Sequence, residues 1–128
     1  MSDKFTVEII SPDQTILKQG TNEVIIPSFE GQMGILNNHI PLITFLRPGI
    51  ITIKTEGEKK YYVEEGTVEF SNNNLLILTS TAIDLANLDK NKINELLQTA
   101  EANINTESTD KERYVASYKL ETLKEISQ

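Results

Sequence analysis

The one imidazole of this 128-residue chain is His39, so any acid–base or metal chemistry must run through a single histidine or through carboxylates alone. A two-histidine metal site of the HExxH kind is excluded, and the absence of cysteine excludes thiolate ligands and disulfides. Glu64 and Glu65 are adjacent and in a strand point to opposite faces, so they cannot act as a general acid and base on one substrate. No Gly-x-Gly and no P-loop offers a phosphate cradle. What stands out instead is the run from Pro27 to Pro41, which holds Gly31, Gly34 and His39 and interrupts a region of strand-like alternation. Glycines there open backbone angles and allow close approach, while Gln32 and Met33 offer one hydrogen-bonding and one adaptable apolar side chain. Such a run is either a contact surface or a plug, with Phe29, Met33, Ile35 and Leu36 closing one end of a β-core.

The elements that hold this run alternate with period two from Phe5 to about Leu85. Phe5, Val7 and Ile9 share a face, and Ser11-Pro12-Asp13 turns the chain into Thr15-Ile16-Leu17. A strand from Asn22 is expected to end at Pro27. Leu42 to Leu46 resumes the pattern, Pro48-Gly49 turns it into Ile51 and Ile53, and Tyr61 and Val63 alternate with Tyr62 and Glu64 on the way back. Glu56-Gly57-Glu58 and Ser71-Asn72-Asn73-Asn74 mark hairpin tips, and Leu75 to Leu78 is the last buried strand. About ten short strands at this spacing predict a β-sandwich or flattened barrel over residues 1–86.

At Leu88 the period changes. Ile93, Leu96, Leu97, Ala100 and Ile104 form one helical stripe, opened by Asp89 as N-cap. Asn105 to Ser108 break it, and Thr109 with Glu112 is a capping-box signature for a second helix. The expected class is α+β, with an antiparallel two-helix hairpin over 87–128. The second helix carries two apolar strips, Tyr114-Val115-Tyr118 and Ala116-Leu120-Leu123. It is either wedged between two neighbours or exchanges one for another.

With 38% hydrophobic and 24% charged residues the composition is that of an ordinary globular chain. The net charge of −7 argues against general nucleic-acid binding and suits a basic protein partner. No apolar run approaches the roughly 20 residues of a membrane span, and the start at Met carries neither a signal-like core nor an Arg-rich transit pattern, from which a bacterial origin is expected.

Glu30-Gly31-Gln32-Met33-Gly34-Ile35-Leu36, followed by His39, Pro41-Leu42 and Leu46-Arg47-Pro48-Gly49, strongly resembles the epsilon subunit of F-type ATP synthases. Val7-Glu8-Ile9-Ile10-Ser11-Pro12-Asp13 and Leu88-Asp89 extend the similarity over nearly the whole chain. The resemblance implies a non-catalytic rotor subunit of the central stalk, peripheral to the cytoplasmic face of the bacterial inner membrane and reaching the membrane only through its complex. It would couple proton-driven rotation of the membrane ring to the catalytic head through the gamma subunit. Carried over, Glu30, Gly31, Gln32, Met33 and Gly34 face the rotor ring, and His39, Ile40, Pro41 and Leu42 lie at the gamma contact. Gln32 stands where many relatives have Glu, replacing a charge pair to the ring by a neutral, less salt-sensitive hydrogen bond.

In relatives the hairpin restrains ATP hydrolysis by reaching the catalytic head with basic residues. Here residues 89–128 hold six basic and eight acidic side chains, a net of −2, so the expected modulation is modest. Some relatives bind ATP through Ile/Leu-Asp-x-x-Arg-Ala, matched by Leu88-Asp89-Lys90-Asn91-Lys92-Ile93. Lys92 replaces the planar Arg fork and Ile93 a small Ala, so Asp89, Lys92 and Arg113 would form at most a weak ATP site, and no other cofactor is implied. Two rivals remain: a stand-alone ATP-sensing protein whose hairpin folds around the nucleotide, and a small sandwich enzyme built on His39.

Overall fold

A computed structural model describes residues 4–104 and 109–127, the side chain of Ile104 excepted. The chain divides into two compact units, Met1–Leu85 and Ala86–Gln128. The first holds β1 (Phe5–Ile10), β2 (Thr15–Thr21), β3 (Glu23–Ser28), β4 (Gly31–Leu36), β5 (Leu42–Leu46), β6 (Gly49–Lys54), β7 (Glu58–Val63), β8 (Gly66–Ser71), β9 (Asn74–Leu78) and β10 (Ile83–Asp84). The strands are hydrogen-bonded in the order β10-β7-β6-β3-β5-β8-β9-β1-β2, with β4 on the free side of β3. All pairings are antiparallel except β1 with β9.

The sheet curls because β3 changes partner along its length. Glu23 to Ile25 pair with β6, whereas Ser28 pairs with Leu46 of β5. Pro27 occupies the hand-over, and the strand does not end there as its proline suggests. The missing N–H costs one ladder donor, but the Pro27 carbonyl still accepts from Arg47 N at 3.0 Å. Its ring packs on Gly49, where any Cβ would lie 2.5 Å from Pro27 Cβ. The inward residues of the two halves meet in one core containing Val7, Ile9, Ile26, Ile53, Phe70 and Ile77. Tyr62, expected to alternate outward, is fully buried beside Tyr61 and Val63. Asn72 and Asn73 take φ of 52° and 55°, the left-handed turn their residue type admits.

The second unit opens with a 3-10 turn, Leu85–Asn87, followed by α1 (Lys90–Ile104) and α2 (Asp110–Ile126). Asp89 Oδ1 accepts from Lys92 N at 2.8 Å, the N-cap of α1. Thr109 and Glu112 exchange bonds of 3.0 and 3.1 Å, a complete capping box for α2. Ala100 and Asn103 of α1 share a cleft with Lys111, Val115 and Ala116 of α2, as an antiparallel hairpin requires. Ile93, Ala100, Ala116 and Leu123 are buried, and Leu96, Leu97, Tyr114, Val115, Tyr118 and Leu120 half-buried. The expected break at 105–108 lies outside the described residues.

Candidate functional site

The glycine run is a strand rather than an interruption. β3 and β4 form a hairpin whose register pairs Ser28 with Gly31 and Glu23 with Leu36, leaving Phe29 and Glu30 as the turn. Ser28 Oγ donates to Gly31 O at 2.7 Å and accepts from Glu30 N at 3.2 Å, closing the turn from within. Gly31 has φ +123°, an angle glycine alone adopts without strain. Glu30, Gln32 and Gly34 are exposed, Gly31 and Met33 half-buried, and Ile35 is in the core. The tip is thus a rigid, exposed hairpin end.

Following β4, the chain is pinned rather than loose. Asn38 N donates to Asn73 Oδ1 at 2.8 Å, and Asn73 Nδ2 donates to Asn38 Oδ1 at 3.0 Å. His39 Nδ1 donates to the Ile40 carbonyl at 2.7 Å, and its ring meets Phe70 edge-on at 5.9 Å. These contacts make His39 a packing residue that shapes the entry to β5; they do not couple it to a nucleophile or a carboxylate.

β5 then presents a surface that residue spacing did not single out. Thr44 and Leu46 point into the core, while Ile43 is 72% and Phe45 58% exposed. Directly before them Ile40 is 74% exposed. On the same outer face Ile43 lies across from Glu69 and Phe45 from Thr67 on β8. Glu69 and Thr67 in turn face Leu76 and Leu78 on β9. Phe29 N donates to Phe45 O at 3.1 Å, so the hairpin tip is tied to one end of this face. Of the four residues His39 to Leu42, Ile40 and Pro41 are exposed, while His39 and Leu42 are half-buried and Leu42 packs on the core. The sequence signal for the wider face is the run Leu-Ile-Thr-Phe-Leu, apolar on both sides where a half-exposed strand alternates.

Elsewhere the polar side chains brace the fold. Tyr62 Oη donates to Glu64 Oε2 at 2.9 Å, and Glu64 N to Thr81 Oγ1 at 2.9 Å. Glu65 Oε1 accepts from Ser80 N at 3.1 Å. Burial, then the neighbouring Glu64 carboxylate, push the Tyr62 phenol far above its usual range. Among the described residues no cluster of His, Asp and Glu has metal-ligand geometry. Asp89 and Lys92 sit at the start of α1, whereas Arg113 sits in the first turn of α2, within 3.6 Å of Asp110. In an antiparallel hairpin those are opposite ends, about 20 Å apart at 1.5 Å per residue.

A curled β-sandwich with an exposed hairpin tip and an apolar outer strand face is followed in the chain by a capped helical hairpin. Residues 4–85 match the family model described as the ATP synthase delta/epsilon chain β-sandwich domain. The chain is 48% identical to the ATP synthase epsilon chain of Pelagibacter ubique, over 99% of this chain and 100% of that one. It is 31% identical to the ATP synthase epsilon chain of Parvibaculum lavamentivorans, over 98% and 97% respectively. Among solved structures, a chain of the Euglena gracilis mitochondrial ATP synthase (OSCP/F1/c-ring, rotational state 1) superposes with a TM-score of 0.80 at 23% identity, covering 100% of this chain and 84% of that one. A chain of the Tetrahymena thermophila mitochondrial ATP synthase central stalk and c-ring gives 0.69 at 17% identity, with 96% of each covered. This chain belongs to the epsilon-chain family of ATP synthases and is an accessory, non-catalytic subunit.

Proposed function

We propose that this chain is a rotor subunit of the central stalk, coupling rotation of the membrane ring to the catalytic head through the gamma subunit. The observation that carries the proposal is the outer face of β5, where Ile43 and Phe45 are each more than half exposed, with exposed Ile40 just before the strand and Leu78 bordering the same depression as Ile43. A contiguous apolar flank of this kind on a small domain favours a permanent protein cover. We assign that cover to gamma, with Ile40 and Pro41 at its edge, His39 and Leu42 supporting them from below, and Ile43 and Phe45 at its centre. Glu30, Gly31, Gln32, Met33 and Gly34, at the hairpin end, face the polar loops of the ring. The capped hairpin of α1 and α2 modulates ATP hydrolysis, weakly given its net charge of −2 over residues 89–128. Membrane association runs through the complex, and no helix among the described residues is long and apolar enough to span a bilayer.

Replacing Ile43 by Asp tests the central claim. Its side chain is outside the core, so folding is retained, while binding to gamma is expected to weaken roughly 30-fold or more. Co-purification with gamma at parental levels would refute the assignment. The stand-alone ATP sensor is the weaker alternative, because Asp89 is already engaged as a cap and Arg113 is at the far end of the hairpin. Titrating the isolated protein with ATP separates the two.

A further inference from the structure

Glu69 is the one charged side chain set among the apolar residues of β5 and β9. It lies directly across from Ile43 on one side and from Leu76 on the other. Two shallow depressions flank it, one bordered by Pro41 and Ser71, the other by Thr67, Leu76 and Leu78. Ile43 and Glu69 form a wall of both. The Glu69 side chain is exposed and makes no ion pair with any described residue. Glu8, the next acid along the same row beyond Leu76, differs in having Lys18 across from it on β2.

Any cover that excludes water from Ile43, Leu76 and Leu78 also strips it from Glu69. A desolvated carboxylate without a partner opposes docking strongly, and a cation with hydrogen-bonding geometry relieves that penalty. Resting on the docking-face proposal above, we infer that Glu69 is the specificity-determining residue of this face. It receives a lysine or arginine from the partner, whose flanking apolar side chains fill the two depressions. The occupant is a basic protein segment. A second copy of this chain, at net charge −7, and an anionic membrane surface both bring the wrong sign.

The test titrates gamma with the full-length chain carrying Glu69→Gln, Glu69→Lys or Ile43→Asp, at low and at high salt. Glu69 is exposed and unpaired, so the circular dichroism of its variants is expected to match the parent. Glu69→Gln is expected to weaken binding roughly 30-fold or more at low salt and to flatten its salt dependence, with Glu69→Lys weaker still. If Ile43→Asp fails to bind while Glu69→Gln keeps the parental affinity and salt dependence, the ion pair is refuted and the docking face stands. A weakened Glu69→Gln with unchanged salt dependence also refutes the ion pair. If Ile43→Asp binds like the parent, the docking face is wrong and this inference falls with it.

Discussion

Tyr62 shows how one buried group ties stability to pH. Its phenol is fully buried and donates to Glu64, and both burial and that negative neighbour raise its pKa from the ordinary 10.0. Tyr61 is raised in the same direction, by burial and then by Asp84. In the unfolded chain both titrate near 10, so above about pH 10 the unfolded state sheds protons that the folded state keeps. Their contribution is therefore complete below that pH and is lost as pH rises past it, by up to about 1.4 kcal/mol per unit for Tyr62. Urea midpoints measured from about pH 9 to about pH 11 are expected to fall for the parent and to fall less steeply for Tyr62→Phe. The variant should lose about 1 kcal/mol at neutral pH through the missing hydrogen bond. An identical alkaline slope in the variant would contradict this account. Little of it was legible from spacing, which placed Tyr62 on an outward face. The helix caps were legible, because Asp89 and Thr109 act on amides only three residues away.

Among the elements, the hairpin of β3 and β4 diverges most from the residue pattern. Glycine and proline punctuate chains, so Pro27 and the Gly31–Gly34 run suggested a strand end and an interruption. Pairing with β3 overrode both, because β4 gains a full ladder and its glycines cost only local entropy. Ile83–Asp84 is a further strand, too short for any period, that exists only through Tyr61 and Tyr62. At α2 local chemistry suffices. Thr109→Ala removes half of the capping box and is expected to cost about 1 kcal/mol, speeding amide exchange in the first turn of the helix about fivefold. Unchanged exchange there would show that the box contributes nothing.

For the molecule as a whole, the members of the strand core among the described residues run from Phe5 to Ala82. A chain truncated after Leu88 is therefore expected to keep its β-type circular dichroism and a cooperative thermal transition. In the assembled enzyme the same truncation is expected to raise ATP hydrolysis only modestly. A large rise would show that the hairpin is a stronger brake than its near-balanced charge suggests. The fold class, the strand-then-helix order and the helix starts are legible in the residue string, since alternation, stripes and caps are properties of neighbouring residues. Tertiary structure alone decided which apolar side chains remain in water. Leu42 to Leu46 is apolar on both faces, and only closure of the curled sheet turns Leu46 inward and leaves Ile43 and Phe45 outside. An apolar side chain carries no mark of whether its own fold or another protein will cover it.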